Sequence, residues 1–179
     1  MGKIKWLVIN YNLPTEPSRH RVAVWRGLKK IGAVNIQQSM WILPGSEENH
    51  LWLLKISQEI EANKGDALLM ESVFFENKHE ERIVSLFNSL RDEEYLEFIR
   101  ECEKYLKEID KEIAKEKFTF SELEEEESEY EKLISWHKKI EARDTFTSSC
   151  KGEAMIKIEQ IKAAFENYSN LVYNKNVMQ

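Results

Sequence analysis

The apolar positions change period along the chain. Residues 4–11, IKWLVINY, form a short, mostly apolar run of β-branched and aromatic side chains, the pattern of a buried strand. LPTEP then breaks the chain, because each proline disfavours helix in the residue before it. Ser18 offers an N-cap for a helix over 19–31, and Gly32 ends it. AVNIQ and SMWIL (33–43) read as two strands joined by a tight turn or as one bulged ribbon, stopped at Pro44-Gly45. Residues 47–63 predict a helix with Leu51, Leu54 and Ile60 on its apolar side, and DALLMESVFFE (66–76) predicts another strand. The order β-α-β-β-α-β is that of a ferredoxin-like α+β fold, in which two helices cover one face of an antiparallel sheet.

After Lys78 the period becomes helical. Tyr95, Phe98, Cys102, Tyr105, Ile109 and Ile113 recur at intervals of three and four. Tyr130, Leu133, His137 and Ile140 form a second series; Met155, Ile158, Ile161, Phe165, Tyr168 and Val172 form a third. Such stripes belong to amphipathic helices of a bundle. Breaks fall at KFTFSEL and ARDTFTSSCKG, where Ser and Thr offer caps. The acidic run SELEEEESEYE reads as a solvated helix face. The architecture predicted is a ferredoxin-like module over 1–77 and an all-helical antiparallel extension over 78–179, a long helix plus a helical hairpin.

Composition adds a core and an uneven charge. With 42% apolar residues in a chain of 179, a sizeable interior can be buried. Residues 1–45 hold seven Lys or Arg and one acid, +6, inside a net charge of −6, so the remainder carries −12. Cys102 and Cys150 have neither metal-like spacing nor a close partner and read as one buried and one ordinary thiol. The N-terminal apolar run is too short for a signal sequence, Trp6 stands where a myristoylation pattern needs Ser or Thr, and no run reaches membrane-spanning length. The expected place is the cytoplasm.

The positive charge concentrates on the first helix. At 100° per residue, Val22, Val24, Trp25, Leu28 and Ile31 fall on the side read as core-facing. Arg19, Ala23, Arg26 and Lys30 share the opposite stripe, with Lys29 and Gly27 near it. A cationic stripe suits a row of phosphates, and equally the glutamates of residues 122–129. Ser18, Arg19, His20 and Arg21 also occupy the first turn, where free N–H groups and the helix dipole attract a small oxyanion. Spacing leaves these readings open.

No catalytic set can be assembled. Asn10 and Asn12 stand after the first strand, where a metal-dependent nuclease of this fold needs a carboxylate, and an amide is a weak, neutral ligand. Phosphate loops, nucleophile elbows and paired metal-binding histidines are absent from the sequence, and no cofactor is called for. His137, Trp52 and Trp136 read as packing residues.

The stretch NLPTEPSRHRVAVWRGLKKIGAV followed by IQQSMWILP resembles the N-terminal domain of the ChrB chromate-resistance regulators. Weaker likeness continues through LFNSLRDEEYLEF and FSELEEEESEYEKLISWHKKIEARDTF. The strand, basic helix and QSMW ribbon are more distantly similar to PaaX-type regulators and to small CRISPR-associated ferredoxin-fold nucleases, from whose acidic pattern Asn10 and Asn12 depart. The resemblance implies a DNA-binding regulator of chromate efflux genes, with Arg19, His20, Arg21, Trp25 and Arg26 as matching motif residues. In that family chromate response is attributed to a second domain beyond the length of this chain. The reading from sequence is therefore a non-catalytic module that binds duplex DNA through Arg19, Arg26, Lys29 and Lys30, as a homodimer. Its alternatives are an oxyanion (chromate, sulfate or phosphate) module using Ser18, Arg19, His20 and Arg21, or a protein-interaction module acting with a separate sensing domain.

Overall fold

The computed structural model describes residues 4–177. Its elements are β1 (Trp6–Asn12), α1 (Ser18–Lys30), β2 (Val34–Gln37), β3 (Met40–Pro44), α2 (Glu47–Ala62), β4 (Asp66–Ser72), α3 (Asn77–Ala114), α4 (Phe120–Glu141) and α5 (Lys151–Val177). The chain divides into two compact units at Phe87/Asn88, so the first turns of α3 belong with the sheet rather than with the extension.

In the first unit the sheet order is β2-β3-β1-β4, with every pairing antiparallel. This is the ferredoxin-like α+β arrangement. Central β1 is buried from Trp6 to Ile9, which explains its unbroken apolar run. Trp6 is fully buried against Phe74 and Phe87, and its indole N–H donates to Glu80 Oε1 at 3.0 Å. β4 ends at Ser72, earlier than its apolar sequence suggests, and Val73 and Phe75 lie exposed beyond it.

Two helix ends set the spacing of this layer. Gly32 takes φ 80° after α1, and Ala33 N–H reaches back to Leu28 O at 3.0 Å, a Schellman closure. After α2 the same closure forms with Lys64 at φ 62° and Gly65 N–H on Ile60 O at 2.9 Å. A Cβ on Gly65 would lie 2.5 Å from Asn12 O, so only glycine lets this turn meet the end of β1. The buried side of α2 is Leu53, Ile56 and Ile60; Leu51 and Leu54, expected inside, are exposed.

The second unit is a three-helix bundle. Its core takes Tyr95, Phe98, Cys102, Tyr105 and Ile109 from α3, Leu133 and Ile140 from α4, and Ala154, Ile161, Tyr168 and Val172 from α5. The predicted stripes supply most of this set, with Met155 exposed and Ala154 in its place. His137 is packed against the Tyr95 and Phe98 rings, and Trp136 meets Phe98 edge-on. Cys102 is buried and Cys150 half-buried, both as free thiols. Asp92 ties down the start of α5 by accepting from Ser148 Oγ, Ser149 Oγ and Cys150 N–H, which holds its carboxyl below the usual range.

The acidic run is not solvated throughout. Glu126 is only 8% exposed. Burial first, and then Glu108, Glu112, Glu122 and Glu129, push its carboxyl up to about 7. A carboxyl raised in the folded state binds its proton more tightly there than in the unfolded chain. Its contribution to stability is therefore complete below about pH 4.5 and is lost as the pH rises through 7. Glu126→Gln is expected to stabilise the protein at pH 8 by on the order of 1–2 kcal/mol, discounted for water near the group, with the gain vanishing toward pH 4.5. Urea midpoints across that range measure it; a pH-independent difference would contradict the assignment.

Candidate nucleic-acid interface

α1 buries a narrow stripe. Only Val24 and Leu28, one turn apart, are fully enclosed. Gly27 lies beside them where α2 comes close: an added Cβ would sit 3.6 Å from Ile56 Cδ1, in ordinary contact. Everything from Arg21 round to Ala23 on the helical wheel therefore faces solvent. Arg19, Arg21, Arg26, Lys29 and Lys30 are all exposed.

Trp25 and Val22, expected in the core, are exposed by 48% and 41%. The reason is geometric. One i,i+4 pair fills the groove available to α1, so residues near the edge of the predicted apolar half are left outside. The result is an indole and a valine set among cations, with Arg21 and Lys29 one turn to either side of Trp25.

The basic face extends onto α2. Trp52 is half-buried, with Lys30 Nζ 5.8 Å and Lys55 Nζ 4.9 Å from its ring centroid. Such cation–π contacts orient the ammonium groups without neutralising them. Lys55 and Trp52 were missed as site residues from sequence, because their place depends on how α2 packs on α1 at Gly27.

No neutralising partner is seen locally. The ion pairs among the described residues of the first unit are those of Glu76 with Lys78 and His79, and none involves α1. Glu16, a candidate partner by sequence, forms no ion pair with α1 there. Lys29 and Lys30 sit in the last turn, where the helix dipole favours them; the first turn holds no acid. Arg19 and Arg21 at the positive end cost a few tenths of a kcal/mol each, a local conflict typical of functional surfaces.

The proposed oxyanion set is not gathered. Ser18 is the first helical residue rather than the cap; the capping position is Pro17, and no side chain caps the helix. Arg19 Nε reaches His20 Nε2 at 3.5 Å, so that pair is adjacent. Arg21 leaves the helix about 200° round from Arg19, on the Trp25 side.

The QQSM segment forms the bulged turn between β2 and β3. Asn35 Nδ2 donates to Gln37 O, Gln38 O and Met40 O at 2.9–3.2 Å and fixes its shape. Asn10, Gln37, Gln38, Ser39 and Met40 line an open cavity of about 480 Å³ beside it. Its polar lining consists of amides and a hydroxyl, groups that donate and accept without charge.

Comparison with known proteins bears on this surface. The sequence profile of the family described as "Protein ChrB, N-terminal" matches residues 21–179, from within α1 onward. The chain belongs to the ChrB N-terminal family. The match takes in Arg21, Trp25, Arg26, Lys29 and Lys30, together with the QQSM turn and the whole bundle. A curated relative, Protein ChrB of Cupriavidus metallidurans (strain ATCC 43123 / DSM 2839 / NBRC 102507 / CH34), is 26% identical over 96 residues. That alignment covers 54% of this chain and 29% of the relative, so the chain spans less than a third of the relative's length in the matched part. No solved structure matches the chain. Among the described residues no helix is long and apolar enough to cross a membrane.

Proposed function

We propose that this ChrB-family chain is a non-catalytic regulatory module of chromate resistance that binds duplex DNA across the exposed face of α1. The observation that carries the reading is the solvent-facing set of Arg19, Arg21, Arg26, Lys29 and Lys30, without an ion-pair partner in its own unit, around an exposed Trp25. Cations in this arrangement meet phosphates and release counterions, while the indole offers a flat apolar surface to sugar or base. Family membership supplies the link to chromate resistance. One α1 face reaches few phosphates, so the binding unit is a homodimer presenting two. The fan of side chains at the first turn favours an extended polyanion over a single small oxyanion.

Salt dependence tests the reading. About five phosphate contacts give a log–log slope near −4 to −5, so duplex affinity should fall by roughly two to three orders of magnitude between ~50 and ~200 mM salt. Unrelated duplexes should share that slope, and the DNA upstream of the protein's own gene should bind more tightly at every salt concentration. Fluorescence anisotropy measures both. Affinity that ignores salt, or a folded protein that binds no duplex, overturns the proposal.

A further inference from the structure

The second unit carries a charged feature that DNA binding leaves unused. An open cleft of about 760 Å³ lies along α3 and α4. Two carboxylate stripes line it: Glu108 and Glu112 on α3, and Glu122, Glu126 and Glu129 on α4. Like charges three and four residues apart share a helix face and repel, so each helix works against its own electrostatics here. Glu126 is the strongest sign of a missing counter-charge. Its backbone carbonyl accepts from Tyr105 Oη at 3.3 Å, but its buried carboxyl has no hydrogen-bond or ion-pair partner among the described residues. It faces both this cleft and an adjoining hollow of about 260 Å³ lined by Tyr105 and Leu133.

The chain's own lysines indicate what the cleft accepts. Lys117 Nζ lies 3.0 Å from Glu112 Oε2 and 3.3 Å from Glu122 Oε1, bridging α3 and α4 with one ammonium group. Lys132 places another on Glu129 at 2.5 Å. Glu126, between them, has none. A point cation fits poorly, since among the described residues no group of three or more His, Cys, Asp or Glu could hold a metal ion. The carboxylates are instead strung out over about 10 Å from Glu122 to Glu129. A partner helix, about 10–12 Å across with side chains, is too bulky for the cleft. Ammonium charges spaced along a thin apolar chain match both the charge pattern and the Tyr105–Leu133 wall.

We propose that the cleft between α3 and α4 binds a linear organic polyamine, with one ammonium group on Glu126 and others on the flanking glutamates. The site is separate from α1, and the proposal does not rest on the DNA reading. The test is calorimetric titration of the full chain with spermidine at pH 8, with thermal unfolding alongside and NaCl and MgCl2 at matched ionic strength as controls. Saturable one-to-one binding that raises Tm beyond either salt is expected. Glu122→Gln/Glu126→Gln should weaken it at least tenfold, and Glu166→Gln, on the exposed side of α5, should leave it unchanged. Should the double variant fail to unfold cooperatively, Glu129→Gln at the exposed rim repeats the test with a smaller loss expected. Equal effects of the salts, undiminished binding by these cleft variants, or saturation by Mg2+ alone would each overturn the proposal.

Discussion

Replacing Arg21, Arg26 and Lys29 together by alanine is expected to lower duplex-DNA affinity about 10²-fold at ~100 mM salt and to leave the fold intact. Both halves follow from the geometry of α1. The three side chains are exposed and make no ion pair with a carboxylate of their unit, so their removal breaks no internal interaction. Exposed substitutions of this kind shift stability within about ±0.5 kcal/mol, and alanine is the better helix former. Three lost phosphate contacts should also reduce the salt slope by about 2.7. Trp25→Ala separates the two kinds of contact on the same face: it should weaken binding by roughly 1–3 kcal/mol with the slope unchanged. Anisotropy titrations at several salt concentrations read both quantities, and urea midpoints report the fold. A triple variant that binds like the parent would remove α1 from the interface.

Much of that surface was legible in the sequence, and the unread part has identifiable causes. The βαββαβ order was readable because β1, β2 and β3 are apolar segments of the right length, punctuated by Pro14, Pro17, Gly32 and Gly45. The cations of α1 were readable because an exposed charge needs no partner to be recognised. Trp25 and Val22 were assigned to the wrong side because a wheel divides a helix in half, whereas α1 encloses only Val24 and Leu28. On α2 the run LWLLKI is apolar on two sides, and its period cannot say which side the sheet will take. Lys55 and Trp52 join the site through packing between α1 and α2, an event with no local signature. Glu126 was hidden for the opposite reason: a run of glutamates looks uniformly solvated, yet its helical period turns one residue inward against α3.

Glu94→Ala is expected to destabilise the second unit by about 2–4 kcal/mol, far more than its position on the bundle surface suggests. Glu94 is the shared counter-ion of two arginines. Its Oε1 lies 3.2 Å from Arg91 Nη2 on the same helix, and its Oε2 lies 2.9 Å from Arg143 Nη2 just beyond α4. Arg91 is buried, and that burial lowers its guanidinium pKa; Glu94 opposes the shift, while the charge on Arg143 adds to it. Without Glu94 the two guanidinium groups keep their mutual repulsion and lose the carboxylate between them. Asp144 cannot replace it readily, because its carboxylate already accepts from Tyr95 Oη at 3.3 Å and Ser148 N–H at 2.9 Å. Arg91→Met should cost much less, since it removes the buried charge and keeps most of the apolar volume. The double variant Arg91→Met/Glu94→Ala should then recover part of the Glu94→Ala loss, a coupling on the order of 1–2 kcal/mol in a double-mutant cycle of urea midpoints. Additive effects would mean that Glu94 acts as an ordinary surface carboxylate and that Arg91 draws its stabilisation from elsewhere.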